Sequence, residues 1–253
     1  MYIHNLEPVA FKIFNVNIYW YSLSYIFGFF FSIVLSKIII KKKKINLKIS
    51  VIDDFLTYAV LGVILGGRLG YVLFYNLEFY YTYPIEILKI WTGGMSFHGG
   101  LIGVIVATFV FSQKKKINFL VLSNIIAICA PIGIFLGRIA NFINGELYGK
   151  KTDLPWGVIF DSNEMIARHP SQLYEAFFEG IILFIIMLIS LKDKFFDKFN
   201  SCAIFLIFYS IFRFMIEYIR IPDQQIGYLT LNLTMGQLLS VPMLLLGIYI
   251  LKK

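Results

Sequence analysis

Within one apolar run a tyrosine, an arginine and a glutamate recur every four residues: Tyr209-Ser-Ile-Phe-Arg213-Phe-Met-Ile-Glu217-Tyr-Ile-Arg220. Side chains four apart on a helix share a face, so these three form a polar stripe, with Arg220 nearly in line. One reading is an Arg213–Glu217 pair that only neutralises itself in apolar surroundings. The other is a binding site, because a guanidinium is a planar fork suited to phosphate or carboxylate. The phenol of Tyr209 on the same stripe favours the site.

A second polar helix end reads Gly137-Arg138-Ile-Ala-Asn141-Phe-Ile-Asn144-Gly145-Glu146-Leu-Tyr148-Gly149. If the helix continues, Arg138, Asn141 and Gly145 share a face. That face suits a phosphate or glycerol headgroup; the plainer alternative is a polar loop capping a helix. Gly93-Gly94-Met95-Ser96-Phe97-His98-Gly99-Gly100 sets a histidine between glycine pairs, where backbone can approach a ligand closely. His98 is a candidate general base or headgroup ligand, or else a structural hydrogen-bonding group. The other histidines are His4 and His169, and no HExxH or cysteine-rich spacing occurs; neither a metal nor a cofactor is expected. Arg168-His169-Pro170-Ser171-Gln172-Leu-Tyr174-Glu175 opens a further apolar run, with Pro170 at or just before the first turn. Glu175 and Glu179 then share a face, read here as shaping the structure and the way into it. Cys129 and Cys202, both within apolar runs, read as small buried hydrophobes.

The elements that must carry these residues follow from composition. Of 253 residues 58% are hydrophobic and 15% charged, against about a quarter charged in a soluble domain. Several apolar runs reach the roughly 20 residues that cross a bilayer core. Seven transmembrane helices are expected, at about 18–40, 55–75, 97–113, 119–137, 171–191, 201–219 and 234–251, in an all-α, single polytopic domain over 1–253. No cleavable signal peptide is expected. The net charge of +8 does not point to nucleic acid, because lysines 41–44, 114–116, 192/194/198 and 252–253 follow or separate apolar runs. That is the positive-inside pattern. It puts the N-terminus outside and the C-terminus in the cytoplasm.

All five arginines (Arg68, Arg138, Arg168, Arg213 and Arg220) fall on the outer side of this topology, whereas the inner cations are all lysine. From the helix rise, Arg68 and Arg213 sit roughly 20 Å and 18 Å above the inner ends of their spans. Charges at that depth are functional candidates by default. Polar ends of several spans then meet at one depth, which points to a single outward-facing site.

The same residues resemble the prolipoprotein diacylglyceryl transferase family over nearly the whole chain. The resemblance runs through Gly66-Gly67-Arg68-Leu-Gly70-Tyr71-Val-Leu-Phe-Tyr75-Asn76, residues 93–103 and residues 137–149, of which 141–149 is highly specific. It continues through 168–175, and 213–217 with Pro222-Asp223. The segment between Gly149 and Arg168 looks shorter than in some relatives. The resemblance implies a multi-pass enzyme of the bacterial inner membrane. Its partners would be phosphatidylglycerol, prolipoprotein signal peptides with a lipobox cysteine, and the lipid bilayer. The thiol would attack the diacylglyceryl carbon, forming a thioether and releasing glycerol 1-phosphate. Arg138 and Arg213 would then clamp the phosphate, and His98 would assist thiol deprotonation, with Glu146 or a tyrosine as the other candidates for the base. Tyr21, Asn141, Glu146, Gly149, Tyr209 and Glu217 complete the implied set, with Asn144 and Arg68 as further lipid contacts. Two other classes fit intramembrane arginines: an anion transporter, for which no internal repeat is visible, and a headgroup transferase acting on a soluble acceptor.

Overall fold

The computed structural model describes residues 1–191, 200–222, 227–229 and 232–252, without the side chains of Thr92, Phe97 and His98. The lysines at 192, 194, 198 and 253, and Asp223, lie outside the described residues. In chain order the elements are β1 (Tyr2–Ile3), β2 (Val9–Ile13), β3 (Val16–Tyr19), α1 (Trp20–Lys42), α2 (Ser50–Tyr75) and α3 (Leu77–Thr82). Two 3-10 turns follow, at Pro84–Leu88 and Ile90–Thr92, then α4 (Phe97–Lys115) and α5 (Phe119–Ile143). After β4 (Val158–Ile159) and β5 (Ala167–Arg168) come α6 (Ser171–Glu175), a π-helical turn (Ala176–Ile182) and α7 (Leu183–Ile189), then α8 (Asn200–Ile216) and α9 (Met235–Lys252).

The chain is largely helical, as expected, and five short strands accompany the helices among the described residues. β2 and β3 form an antiparallel hairpin, while β1 pairs in parallel with β4, which pairs with β5. Five helices among the described residues are long and apolar enough to cross a membrane: Trp20–Lys42, Ser50–Tyr75, Phe119–Ile143, Ser171–Ile189 and Met235–Lys252. The run expected at 201–219 folds as the shorter α8. The run expected at 119–137 continues as helix to Ile143, because Arg138 and Asn141 find partners along it.

The chain forms two compact units, 1–35 with 124–253, and 36–123. In the smaller unit α2 has two faces. Leu61, Leu65, Leu69 and Leu73 form an exposed stripe at four-residue spacing, which water would penalise and hydrocarbon does not. The opposite stripe of Gly62, Gly66 and Gly70 lies against Gly99 and Gly103 of α4. Even one methyl group on Gly62 would sit 2.7 Å from the Gly103 carbonyl oxygen. Glycine here lets two helix backbones meet. Gly133 and Gly137, also four apart on α5, behave differently: a methyl on either meets nothing within 4 Å among the described residues, although one on Gly28 of α1 would lie 3.4 Å from the Gly133 Cα.

Arg68, on α2, is buried, and its guanidinium works on the chain itself. It donates to the carbonyls of Ile87 (3.0 Å), Glu86 (2.6 Å), Lys89 (3.1 Å), Gly94 (3.2 Å) and Gly93, with its charge over the Tyr80 ring. Five carbonyls of the 86–94 segment, of which that of Glu86 also accepts the Lys89 N–H, are gathered onto one cation. Arg68→Met should therefore loosen this segment and raise chymotryptic cleavage at Tyr83 and Trp91 several-fold in detergent micelles. Cleavage at the wild-type rate would mean that the segment holds without the arginine.

Candidate active site

The larger unit brings together three arginines and three glutamates from α5, the Ser171–Ile189 helix, α8 and the residues just after it. Glu175, with no solvent exposure, is the hub. Its Oε1 accepts from Arg213 Nη1 at 2.5 Å and from Arg220 Nη1 at 2.7 Å, and its Oε2 lies 3.1 Å from Arg138 Nε. Glu179, equally buried, lies 3.3 Å from Arg138 Nη2 and 3.8 Å from Arg213 Nη1. Glu217 faces Arg213 Nη2 at 2.5 Å and accepts from the Thr234 hydroxyl at 2.6 Å. The self-neutralising Arg213–Glu217 pair is therefore one edge of a six-membered network.

The sequence puts these groups together by helix period. Glu175 and Glu179 are one turn apart and face the same two arginines. Two like charges at that spacing repel, and they stay together only where cations converge on them. The π-helical turn at Ala176–Ile182 lies between these two carboxylates and carries the second; such wide turns recur at functional positions. Tyr209 is buried, its ring stacked on Phe205 at 5.5 Å, within the field of Glu179, Arg213 and Arg138. Room for Glu217 comes from Gly236, where a methyl group would fall 2.5 Å from the Glu217 Oε1.

The end of α5 is built from its own polar side chains. Asn141 Nδ2 donates to Glu146 Oε1 at 2.8 Å and Asn144 Nδ2 reaches the same oxygen at 3.3 Å. A left-handed Gly145 turns the chain between them. Helix-end carbonyls need partners: His4 Nε2 meets the Phe142 carbonyl at 2.7 Å, and Gln172 donates to the Glu146 carbonyl at 2.5 Å. The Glu146 carboxylate remains exposed. Gly149 is pinned by backbone: its N–H donates to the His169 carbonyl at 2.8 Å, and it bridges Arg220. A methyl there would lie 2.7 Å from both the His169 Cβ and the Ile219 carbonyl oxygen. Nearby, Tyr174 OH joins Trp156 Nε1 at 2.8 Å and His169 Nδ1 at 3.3 Å, and burial pushes the His169 imidazole below its ordinary range.

Of the candidates that the sequence singles out, Arg138, Arg213, Tyr209 and Glu217 meet in this network. Asn141, Asn144 and Glu146 form the adjoining helix end, and Gly149 holds the backbone next to Arg220. Tyr21 opens α1, half-exposed, with its ring edge-on to Tyr25 at 5.4 Å. Arg68 and His98 belong to the smaller unit, and the His98 side chain lies outside the described residues. Sequence reasoning missed the central place of Glu175, Arg220 and Thr234. The available signal was the Glu175–Glu179 spacing inside an apolar run.

Apolar helices long enough to cross a membrane, with buried or partly buried arginines set against buried carboxylates between them, define a multi-pass membrane protein with a polar centre. The comparisons are more specific. The family model described as prolipoprotein diacylglyceryl transferase matches residues 8–252. Over 248 residues the chain is 54% identical to the phosphatidylglycerol–prolipoprotein diacylglyceryl transferase of Rickettsia felis, covering 97% of this chain and 96% of that one. The proteins of the same name from Rickettsia typhi and Rickettsia bellii are 52% and 50% identical, covering 99% and 98% of this chain and 97% and 95% of theirs. The chain belongs to the prolipoprotein diacylglyceryl transferase family.

Removing one member of a buried ion network strands its partners and costs about 3–5 kcal/mol, whereas an exposed pair is worth under about 1 kcal/mol. Glu175→Gln should thus destabilise the protein strongly in an SDS-unfolding titration of mixed micelles. Asp54→Asn, which breaks the exposed pair with Lys115, should hardly move the midpoint. Equal shifts would remove Glu175 from its central place.

Proposed function

We propose that this protein transfers the diacylglyceryl group of phosphatidylglycerol to the lipobox cysteine of a prolipoprotein, the first step of lipoprotein maturation. The thiol gives up its proton, the sulfur forms a bond to the glyceryl carbon, and the carbon–oxygen bond to phosphate breaks. A thioether and glycerol 1-phosphate result. Such a step requires an aligned carbon and stabilisation of the departing phosphate. The observation that carries this reading is that Arg138 and Arg213 share the buried carboxylate of Glu175. One anchor thereby aims two planar forks, which are 15% exposed at the side chain, at a single anion.

Within this reading Arg138 and Arg213 hold the phosphate, Glu217 and Glu175 orient Arg213, and Tyr209 and Asn141 contact the headgroup. His98 assists thiol deprotonation, as the resemblance implies, with Glu146, exposed and held by two amides, or a tyrosine as the other candidates. Gly149 keeps Arg220 in place. Arg68, already engaged by backbone carbonyls, holds its own loop. The protein resides in the bacterial inner membrane with seven spans, the N-terminus outside and the C-terminus cytoplasmic. The lysine clusters support that orientation.

Two measurements test these points. In a radiolabelled-lipid assay with a lipobox peptide, Arg138→Lys should lose most transfer at matched protein level, because an ammonium cannot reproduce the fork. Lys114→Ala should stay within a few-fold of wild type, since that cation meets the Tyr58 hydroxyl in an exposed contact at 3.0 Å and otherwise attracts the inner leaflet diffusely. Comparable activity in the two variants would remove the bidentate clamp. For orientation, a membrane-impermeant thiol reagent applied outside should label a cysteine placed at Asp161 and spare one placed at Lys42. The reverse pattern would overturn the orientation.

A further inference from the structure

Among the described residues, the three arginines and three carboxylates of the network, Arg138, Arg213 and Arg220 against Glu175, Glu179 and Glu217, carry formal charges that cancel. A phosphodiester brought to Arg138 and Arg213 adds one negative charge to a region shielded from water. An uncompensated charge there is strongly disfavoured. Binding by displacement alone leaves one carboxylate without its cations.

The three carboxylates are not held equally. Glu175 is engaged by all three arginines. Glu217 has Arg213 at 2.5 Å and the Thr234 hydroxyl at 2.6 Å. Glu179 lies farthest from its nearest arginine, 3.3 Å against 2.5 Å for the other two, with a second at 3.8 Å, and its fully buried Oε1 accepts no hydrogen bond. The groups facing it are Arg138 from α5, Arg213 and Tyr209 from α8, Arg220 beyond α8, and Glu175 one turn back on its own helix. The two arginines in reach of Glu179 are the two assigned to the phosphate.

We propose that the lipid phosphate displaces Glu179 from Arg138 and Arg213, and that Glu179 takes up one proton from solvent as it does so. The cluster then stays neutral with the lipid bound, and the released carboxyl becomes a hydrogen-bond donor beside the phosphate oxygens. This rests on the phosphate binding at Arg138 and Arg213, as the proposed function has it. The proton enters on binding and returns to solvent when glycerol 1-phosphate leaves, so no other reactant is needed. Lipid binding thereby becomes linked to pH.

The test is calorimetric titration of the full-length protein, in phosphatidylcholine nanodiscs, with short-chain phosphatidylglycerol in buffers of different ionisation enthalpy. The wild type should take up about one proton per lipid at its maximum between roughly pH 5 and pH 9. Glu179→Gln should bind the lipid with no uptake. Glu179→Asp, which keeps the acid, should retain uptake at a shifted pH and covers the case in which the glutamine variant fails to fold. No uptake in the wild type, or undiminished uptake in Glu179→Gln, overturns the proposal. Arg213→Gln separates the two layers: if it binds phosphatidylglycerol as tightly as wild type, the clamp itself fails and this inference falls with it.

Discussion

A single buried carboxylate, that of Glu175, makes the polar centre possible. Arginine carries charge under essentially all conditions, and placing three of them in a shielded region is tolerable only if anions meet them with good geometry. Glu175 meets all three, from positions 38 and 45 residues away along the chain in Arg213 and Arg220. Glu217 and Glu179 then complete the balance. The rest of the unit can be understood as what delivers these groups to one place: α5 brings Arg138, α8 brings Arg213, and the turn after α8 brings Arg220.

This constraint explains uncharged positions around the network. Gly236 is small because the Glu217 carboxylate occupies the adjacent space. Gly149 is small because three backbone segments meet there, which fixes the residue bridged to Arg220. The strands and the N-terminal His4 hold the end of α5, where Asn141, Asn144 and Glu146 form one hydrogen-bonded turn. The smaller unit repeats the logic with other means: Arg68 satisfies a ring of backbone carbonyls, and glycine stripes let α2 and α4 meet.

Much of this was legible because helix periodicity is local. The Tyr209, Arg213 and Glu217 stripe follows from spacing alone, as does the Arg138–Asn141 face. The Gly62, Gly66, Gly99 and Gly103 contacts follow from the small-residue pattern. Gly133 and Gly137 have the same spacing without such contacts, since spacing cannot say whether a neighbouring helix or lipid lies alongside. Beyond Glu217, the partners of the arginines were not legible, because Glu175 and Glu179 come from a different helix and no short-range signal reports which helices pack together. Family resemblance supplied the activity and most of the named residues. It left Glu175 at the margin, where charge balance places it at the centre.

The central claim is that Arg138 and Arg213 jointly hold the phosphate of phosphatidylglycerol while Glu175 aims them. The most direct measurement is phosphorus–nitrogen dipolar recoupling by solid-state NMR, with guanidinium-labelled protein and phosphatidylglycerol in bilayers. The account predicts short phosphorus-to-guanidinium contacts that weaken when either Arg138 or Arg213 is replaced, vanish when both are, and spread in distance when Glu175 becomes glutamine. Unchanged contacts in the protein lacking both arginines would contradict it.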